Sequence, residues 1–148
     1  AFGTLIEDRI DCPVIIKRIY PELGADEFLL HAAAEGRLNE MSVTWAEDHA
    51  LTVVMAAEGY PGTPKKGGTI DLGKAEAGGA KVFHAGTARE PDGTLIASGG
   101  RVLNVTARGR NVTRAQAAAY EAGDAIDFAQ GFCRRDIGWR EVERETAE

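Results

Sequence analysis

A pair of glycines followed by an arginine, Gly99-Gly100-Arg101, is the arrangement in this 148-residue chain best suited to binding an anion. Two residues without side chains let a backbone approach a ligand closely, and a guanidinium at the mouth of the next strand offers an anion a planar fork of donors. Other combinations are weaker. Lys65-Lys66-Gly67-Gly68 invites a phosphate-loop reading, but the order Gly-x-x-x-x-Gly-Lys-Ser/Thr between a strand and a helix is absent. Glu7, Asp8 and Asp11 form a small carboxylate cluster of a kind that magnesium accepts. Three acidic residues define no geometry by themselves, so a solvated turn is the simpler reading. His31 lies within a helical pattern and His49 in the polar link Trp45-Ala46-Glu47-Asp48-His49, and both read as structural histidines.

The elements that must position Arg101 come from Lys81 to Ala107, which reads as two strands joined by a polar hairpin and followed by a third strand. Val82 and Phe83 lie in a short apolar run, and Glu90-Pro91-Asp92-Gly93 is turn chemistry. The chain returns through Thr94 to Ser98, reverses at Gly99-Gly100 and enters Arg101 to Ala107. There Val102, Leu103, Val105 and Ala107 are apolar, and alternation with Asn104 and Thr106 is regular only in the second half.

Leu51 to Ala57 is apolar almost throughout, which predicts a central strand covered on both faces and ended by the turn Glu58-Gly59-Tyr60-Pro61-Gly62. Thr63 to Gly79 is a glycine-rich link around a short strand at Thr69 to Leu72. Two helices are expected. Ala25 to Glu35 has Asp26 and Glu27 near its positive end, Phe28, Leu29 and Leu30 opening its apolar face, and Gly36 as its stop. The second begins with Thr113 as cap and carries a stripe of Ala115, Ala118, Ala119, Ala122, Ile126 and Ala129 toward an end near Gln130-Gly131. Leu5 to Ile19 stays ambiguous, because Val14, Ile15, Ile16 and Ile19 suit a strand by type and a helix face by spacing. The expected fold is α+β, a mainly antiparallel sheet of about five strands packed against two helices.

A hydrophobic content of 44% allows a single domain with its own core. A net charge of −6 disfavours nucleic-acid and anionic-membrane partners while leaving room for a local basic pocket. Cys12 and Cys133 read as two free thiols. No run is long and apolar enough to span a bilayer, and the first residues lack the order of a signal peptide, so the expected location is cytoplasmic. The sequons at Asn104 and Asn111 are then incidental.

Four stretches, Leu51-Thr-Val-Val-Met-Ala-Ala-Glu-Gly-Tyr-Pro-Gly62, Gly79-Ala-Lys-Val-Phe-His-Ala-Gly-Thr87, Gly99-Gly-Arg-Val-Leu-Asn-Val-Thr-Ala107 and Arg135-Asp-Ile-Gly-Trp-Arg140, occur in an order that carries a family resemblance. The chain resembles the C-terminal part of glycinamide ribonucleotide synthetases, the phosphoribosylamine-glycine ligases, which are ATP-grasp enzymes of purine biosynthesis. The resemblance covers about Leu29 to Val142. It implies residues 25–142 as a ligase C-terminal-like domain, residues 1–24 as a divergent remnant of the metal-site region, and residues 143–148 as a frayed tail. The family's metal motif has the form Asn-x-Arg-Phe-Gly-Asp-Pro-Glu. Leu5-Ile-Glu-Asp-Arg-Ile-Asp-Cys-Pro13 lacks its asparagine, its Phe-Gly pair and its final glutamate, so no metal ligand is assigned.

The resemblance also implies chemistry. Such ligases phosphorylate the carboxylate of glycine with ATP and magnesium, and the amine of phosphoribosylamine attacks the acyl phosphate. Arg101, set by Gly99 and Gly100, would bind the ribose phosphate or offset charge on the acyl phosphate. His84 would hydrogen-bond the same anion or steer the amine, with Thr87 and the backbone amide of Gly86 as further donors. Tyr60 and Lys65 are second-rank contacts, and Asp136 either organises the face beneath the substrate or pairs with a neighbouring arginine. For this chain alone no cofactor is expected. Its partners would be the ATP-grasp half of the ligase or another protein, and a phosphorylated small molecule. The implied function is the C-terminal portion of the ligase, not competent alone. The alternative is a free-standing, non-catalytic binding or interaction module. The altered Glu7 to Pro13 region favours the alternative, and the intact Gly99-Gly100-Arg101 and Arg135 to Arg140 motifs favour the ligase.

Overall fold

A computed structural model of the chain describes residues 32–42 and 46–147. In order, these contain a 3-10 turn at Leu38–Glu40, then strands β1 (His49–Ala57), β2 (Lys81–His84), β3 (Thr87–Arg89), β4 (Leu95–Ala97) and β5 (Arg101–Gly109), helix α1 (Val112–Asp124), strand β6 (Gly131–Phe132) and helix α2 (Trp139–Ala147). The readings placed on Glu7, Asp8, Asp11, Cys12, Leu5 to Ile19 and His31 lie outside the described residues. Of the expected Ala25 to Glu35 helix only the end is described. Residues 32–34 are helical. Gly36 adopts φ 72°, and Arg37 and Gly36 donate their amides back to Ala32 (2.8 Å) and Ala33 (3.2 Å), which satisfies carbonyls at the helix end as a left-handed glycine cap does.

The architecture is α+β with antiparallel pairing, as expected, but the strands divide into a four-stranded sheet of order β2-β5-β1-β6 and a two-stranded sheet, β3-β4. Strands β1 and β5 pair Leu51 with Ala107, Val53 with Val105 and Met55 with Leu103. These side chains are buried and form one core with α1, whose Ala115 and Ala119 are fully buried. Small alanines let the helix lie close to the sheet, and each buried Val or Leu contributes about 1.5–3 kcal/mol relative to exposure.

The other face of β1 differs from the expectation of cover on both sides. Val54 is 38% exposed, and Thr52 meets Thr106 of β5 through their hydroxyls at 2.8 Å. Phe83, opposite Asn104, is 55% exposed on the same face. The apolar Val54 breaks the alternation that would have marked this face as open.

Helix α1 is capped by Asn111, whose side chain accepts from the Arg114 amide at 3.0 Å, and not by Thr113. The Thr113 hydroxyl donates instead to Glu145 of α2 at 2.6 Å. α1 also ends earlier than its apolar stripe suggested. After Asp124 the chain turns and Asp127 exchanges two amide-carbonyl bonds with Asp71, both 2.9 Å. Ile126 remains buried outside the helix, while Ala129 is exposed. The expected strand at Thr69 to Leu72 reduces to two isolated bridges, Thr69 with Ile96 and Asp71 with Asp127. These two partners lie on different elements, so no continuous ladder forms.

Most of the segment expected as a frayed tail lies in a helix here. α2 runs to Ala147, and Glu145 docks it by accepting the amides of Val112 (2.7 Å) and Thr113 (2.9 Å).

Candidate functional site

Strands β2 and β3 follow one another with only Ala85 and Gly86 between them, and β4 leads to β5 through Ser98, Gly99 and Gly100. The four strands therefore make one long two-stranded ribbon that kinks at these glycines and passes from the larger sheet to the smaller. The reversal expected at Gly99-Gly100 is instead a kink, because the backbone pairing of Gly86 with Gly99 and Arg101 carries both arms through. Backbone pairing continues through the kink: Ala85 donates to Val102 O (3.0 Å), Gly86 donates to Arg101 O (2.9 Å), and Gly86 O accepts from Ser98 (2.8 Å) and Gly99 (3.1 Å).

The glycines are required by this crossing. A Cβ on Gly86 would lie 2.6 Å from Arg101 O and 2.7 Å from the Gly99 Cα. One on Gly100 would lie 2.6 Å from Tyr60 Cδ2 and 3.1 Å from Pro64 Cγ. Gly100 is also tied to the end of β1, because its carbonyl accepts from Ala57 at 2.8 Å. The turn after β1 that carries Tyr60 depends on Gly59, at φ 90°, where a Cβ would meet Thr63 O at 2.3 Å.

His84, Gly86, Thr87, Gly99, Gly100 and Arg101 thus gather at one kink, with the Tyr60 ring against it. Their roles differ from one another. The Gly86 amide is consumed by Arg101 O and is not a spare donor. The Arg101 guanidinium is exposed and has no hydrogen-bond or ion-pair partner among the described residues. His84 is exposed at the end of β2, and its Nδ1 lies 3.1 Å from Thr87 Oγ1. Glu76 lies beside this strand, accepting from the Val82 amide at 2.9 Å and facing Lys81 Nζ at 3.7 Å. The Val82 bond, aided by Lys81 and His84, holds the Glu76 carboxyl below its ordinary value against the opposing effect of desolvation.

Lys65 follows Pro64, but its ammonium is paired with Glu58 at 2.8 Å. Nor do its neighbours form a phosphate loop: the Gly67 amide donates to Ala97 O and Gly68 O accepts from the Ala97 amide, each at 2.8 Å, so this stretch extends the β4 edge. Glu58 and Glu76 are the neighbours of the site that the sequence reading missed. Their partners, Lys65 and Val82, are reached only across turns, and no spacing rule for a helix or a strand marks such pairs.

Asp136 lies elsewhere. It accepts two bonds from Arg134, at 2.9 and 2.6 Å, and that hydrogen bonding lowers its pKa. Arg135 pairs with Asp124 at 2.7 Å and sits 5.5 Å from the centre of the Tyr120 ring. Tyr120 Oη donates to Arg134 O (2.9 Å) and accepts from Ile137 N (3.0 Å), while Gln116 donates to Ile137 O (2.7 Å). The tail is thereby stapled along α1 by Gln116, Tyr120 and the Arg135–Asp124 pair, while the Asp136 side chain pairs with Arg134 within the tail. Cys133 is a free thiol within it. Among the described residues no group of His, Cys, Asp and Glu is arranged to hold a metal ion, and no helix is long and apolar enough to cross a membrane.

Residues 50–140 match the family model described as phosphoribosylglycinamide synthetase, C domain. The chain is 55% identical over 139 residues to a phosphoribosylamine–glycine ligase of Brucella melitensis, covering 93% of this chain and 32% of that protein. It is 53% identical over 138 residues to the ligase of Mesorhizobium japonicum, with the same coverage of 93% and 32%. A chloroplastic ligase of Arabidopsis thaliana is 44% identical over 138 residues, covering 91% of this chain and 25% of that protein. The crystal structure of a phosphoribosylamine–glycine ligase from Thermotoga maritima superposes with a TM-score of 0.64 at 34% identity, over 83% of this chain and 29% of that one. The chain spans about a third of the length of the curated bacterial relatives it matches.

Proposed function

The chain belongs to the phosphoribosylglycinamide synthetase C-domain family, and from that membership we propose that it contributes an anion-binding kink to a phosphoribosylamine–glycine ligase. The observation that carries the reading is the exposed Arg101 guanidinium, without a partner among the described residues and held beside the Gly86–Gly99 crossing in a chain 55% identical to such a ligase. The reaction joins glycine to phosphoribosylamine in purine biosynthesis: ATP phosphorylates the glycine carboxylate, the amine attacks the acyl carbon, and phosphate leaves. Negative charge must be managed at both the ribose phosphate and the acyl phosphate. A guanidinium fork with no internal partner suits either phosphoryl group. His84 offers a second donor, and Gly99 and Gly100 let the backbone come close. Tyr60 walls the kink, and Lys65 becomes available only if a ligand competes with Glu58.

The described residues do not fit a magnesium-nucleotide site. They contain no ligand cluster, and the backbone of Gly67 and Gly68 is engaged in pairing. In the proposal ATP and magnesium are held by the ATP-grasp part of the ligase, within the two thirds of the relatives' length that this chain does not match. The free Cys133 accords with a reducing cytoplasm. The relatives compared all carry the ligase name, and this outweighs the altered Glu7 to Pro13 region that pointed to a separate binding module.

The test is ADP release with ATP, magnesium, glycine and freshly generated phosphoribosylamine, using the chain alone and the chain with the complementary part of a relative's ligase. Turnover is expected only in the second arm and is expected to fall with Arg101→Ala. Absence of turnover in both arms, with an intact ligase active as control, overturns the reading.

A further inference from the structure

His84 and Thr87 are three residues apart on adjoining strands, and in a regular strand such residues point to opposite faces. Here His84 Nδ1 and Thr87 Oγ1 are nevertheless 3.1 Å apart. The irregular backbone at Ala85 and Gly86, locked where Gly86 crosses Gly99, turns the two side chains to one side. The pair is not needed for the core, because His84 is exposed and Thr87 half-buried. A hydrogen bond at such a position adds little to stability, yet it biases the imidazole toward one orientation. Nδ1 is then occupied, and Nε2 has no partner among the described residues.

We propose that Thr87 is a positioning residue: its hydroxyl holds Nδ1 of His84 so that Nε2 is the ring nitrogen presented to a phosphoryl oxygen at the kink. The inference rests on the anion-binding reading above, and it changes the part assigned to Thr87 from ligand contact to orientation of His84. A hydroxyl suits this task because it can donate to or accept from Nδ1, and so keeps the ring in place whichever proton the imidazole carries. Valine has nearly the same shape and remains compatible with a strand, so Thr87→Val removes the bond while preserving β3.

The experiment is side-chain nuclear magnetic resonance of the full chain, with His84 assigned among the three histidines by its loss in His84→Gln. In the protein without ligand, carbon relaxation of the His84 ring is expected to show one ordered orientation in wild type, averaging in Thr87→Val, and order regained in Thr87→Ser. Unchanged ring order in Thr87→Val overturns the positioning role. Inorganic phosphate and ribose 5-phosphate are then titrated. The response is expected at Nε2 in wild type, with affinity about fivefold weaker in Thr87→Val, as expected for one hydrogen bond's worth of orientation. If neither probe moves a His84 resonance in wild type, the anion-binding reading fails, while the relaxation comparison still decides the role of Thr87 on its own.

Discussion

Removing the carboxylate of Glu145 should loosen the attachment of α2 to α1 by an amount that can be worked out from three contacts. Glu145 accepts the Val112 amide at 2.7 Å, the Thr113 amide at 2.9 Å and the Thr113 hydroxyl at 2.6 Å. Two of these donors belong to the first turn of a helix, where amides lack intrahelical partners and the dipole favours negative charge. A hydrogen bond to a charged group is worth about 1.5–3 kcal/mol when buried, but Glu145 is half-buried and water can replace it, so we take less than 1 kcal/mol for each. Asn111 continues to cap the Arg114 amide in the variant. The expected loss for Glu145→Ala is about 2 kcal/mol, within the range of strong helix caps. For a domain of this size that corresponds to a fall in Tm of about 6 °C.

The same carboxylate gives a pH signature. Burial pushes its pKa up, but the Thr113 hydroxyl and the two amides outweigh burial and hold it below the ordinary glutamate value. A group with a depressed folded pKa contributes fully above its unfolded pKa and loses that contribution as pH falls through the folded one. The gap between wild type and Glu145→Gln should therefore be open at pH 7 and close progressively below about pH 4. Urea unfolding followed by circular dichroism, with m unchanged between variants, measures both effects. A Glu145→Ala variant within about 0.5 kcal/mol of wild type at pH 7, or a glutamine gap that does not narrow in acid, would show that Glu145 does not hold α2 to α1.

Other outcomes test the kink and the tail. Arg101→Ala should weaken binding of ribose 5-phosphate in calorimetry while leaving Tm unchanged, since the guanidinium has no partner among the described residues; unaltered affinity removes Arg101 from the site. Gly86→Ala should cost about 1–3 kcal/mol in urea unfolding, because the added Cβ meets backbone atoms at 2.6 and 2.7 Å that cannot simply rotate away. Asp136→Asn should leave both Tm and phosphate affinity nearly unchanged, because its exposed pairing with Arg134 is screened by water; a marked loss of affinity would return Asp136 to the site.

The residues themselves announced the ribbon. Glu90 to Gly93 specifies a reversal whatever surrounds it, and in the structure Gly93 sits at φ 90° while Asp92 accepts from the Thr94 amide at 2.9 Å. The Gly99-Gly100-Arg101 motif was equally legible, as was the alanine stripe at Ala115, Ala119 and Ala122 that presses α1 on the sheet. Helix limits were not. Asn111 and Thr113 are both competent caps, and the choice between them depended on Glu145, more than thirty residues away, claiming the Thr113 hydroxyl. The end of α1 depended on Asp71, which drew Asp127 into a bridge. Both partners are distant in sequence, so local propensity could not register them.

Composition, turn chemistry and the four motifs were sufficient for the α+β class and the family resemblance, because each is written in side-chain types that act on their nearest neighbours, whereas the reversal expected at Gly99-Gly100 became a kink through pairing with Gly86 on the opposite arm. The use of each polar group was settled by tertiary packing. Gly86 spends its amide on Arg101 O, Lys65 spends its charge on Glu58, Asp136 is taken by Arg134, and of these only the Arg101 guanidinium has no partner among the described residues. A hydrogen-bonding group does what its nearest available partner permits, and which partner is nearest is a property of the folded chain.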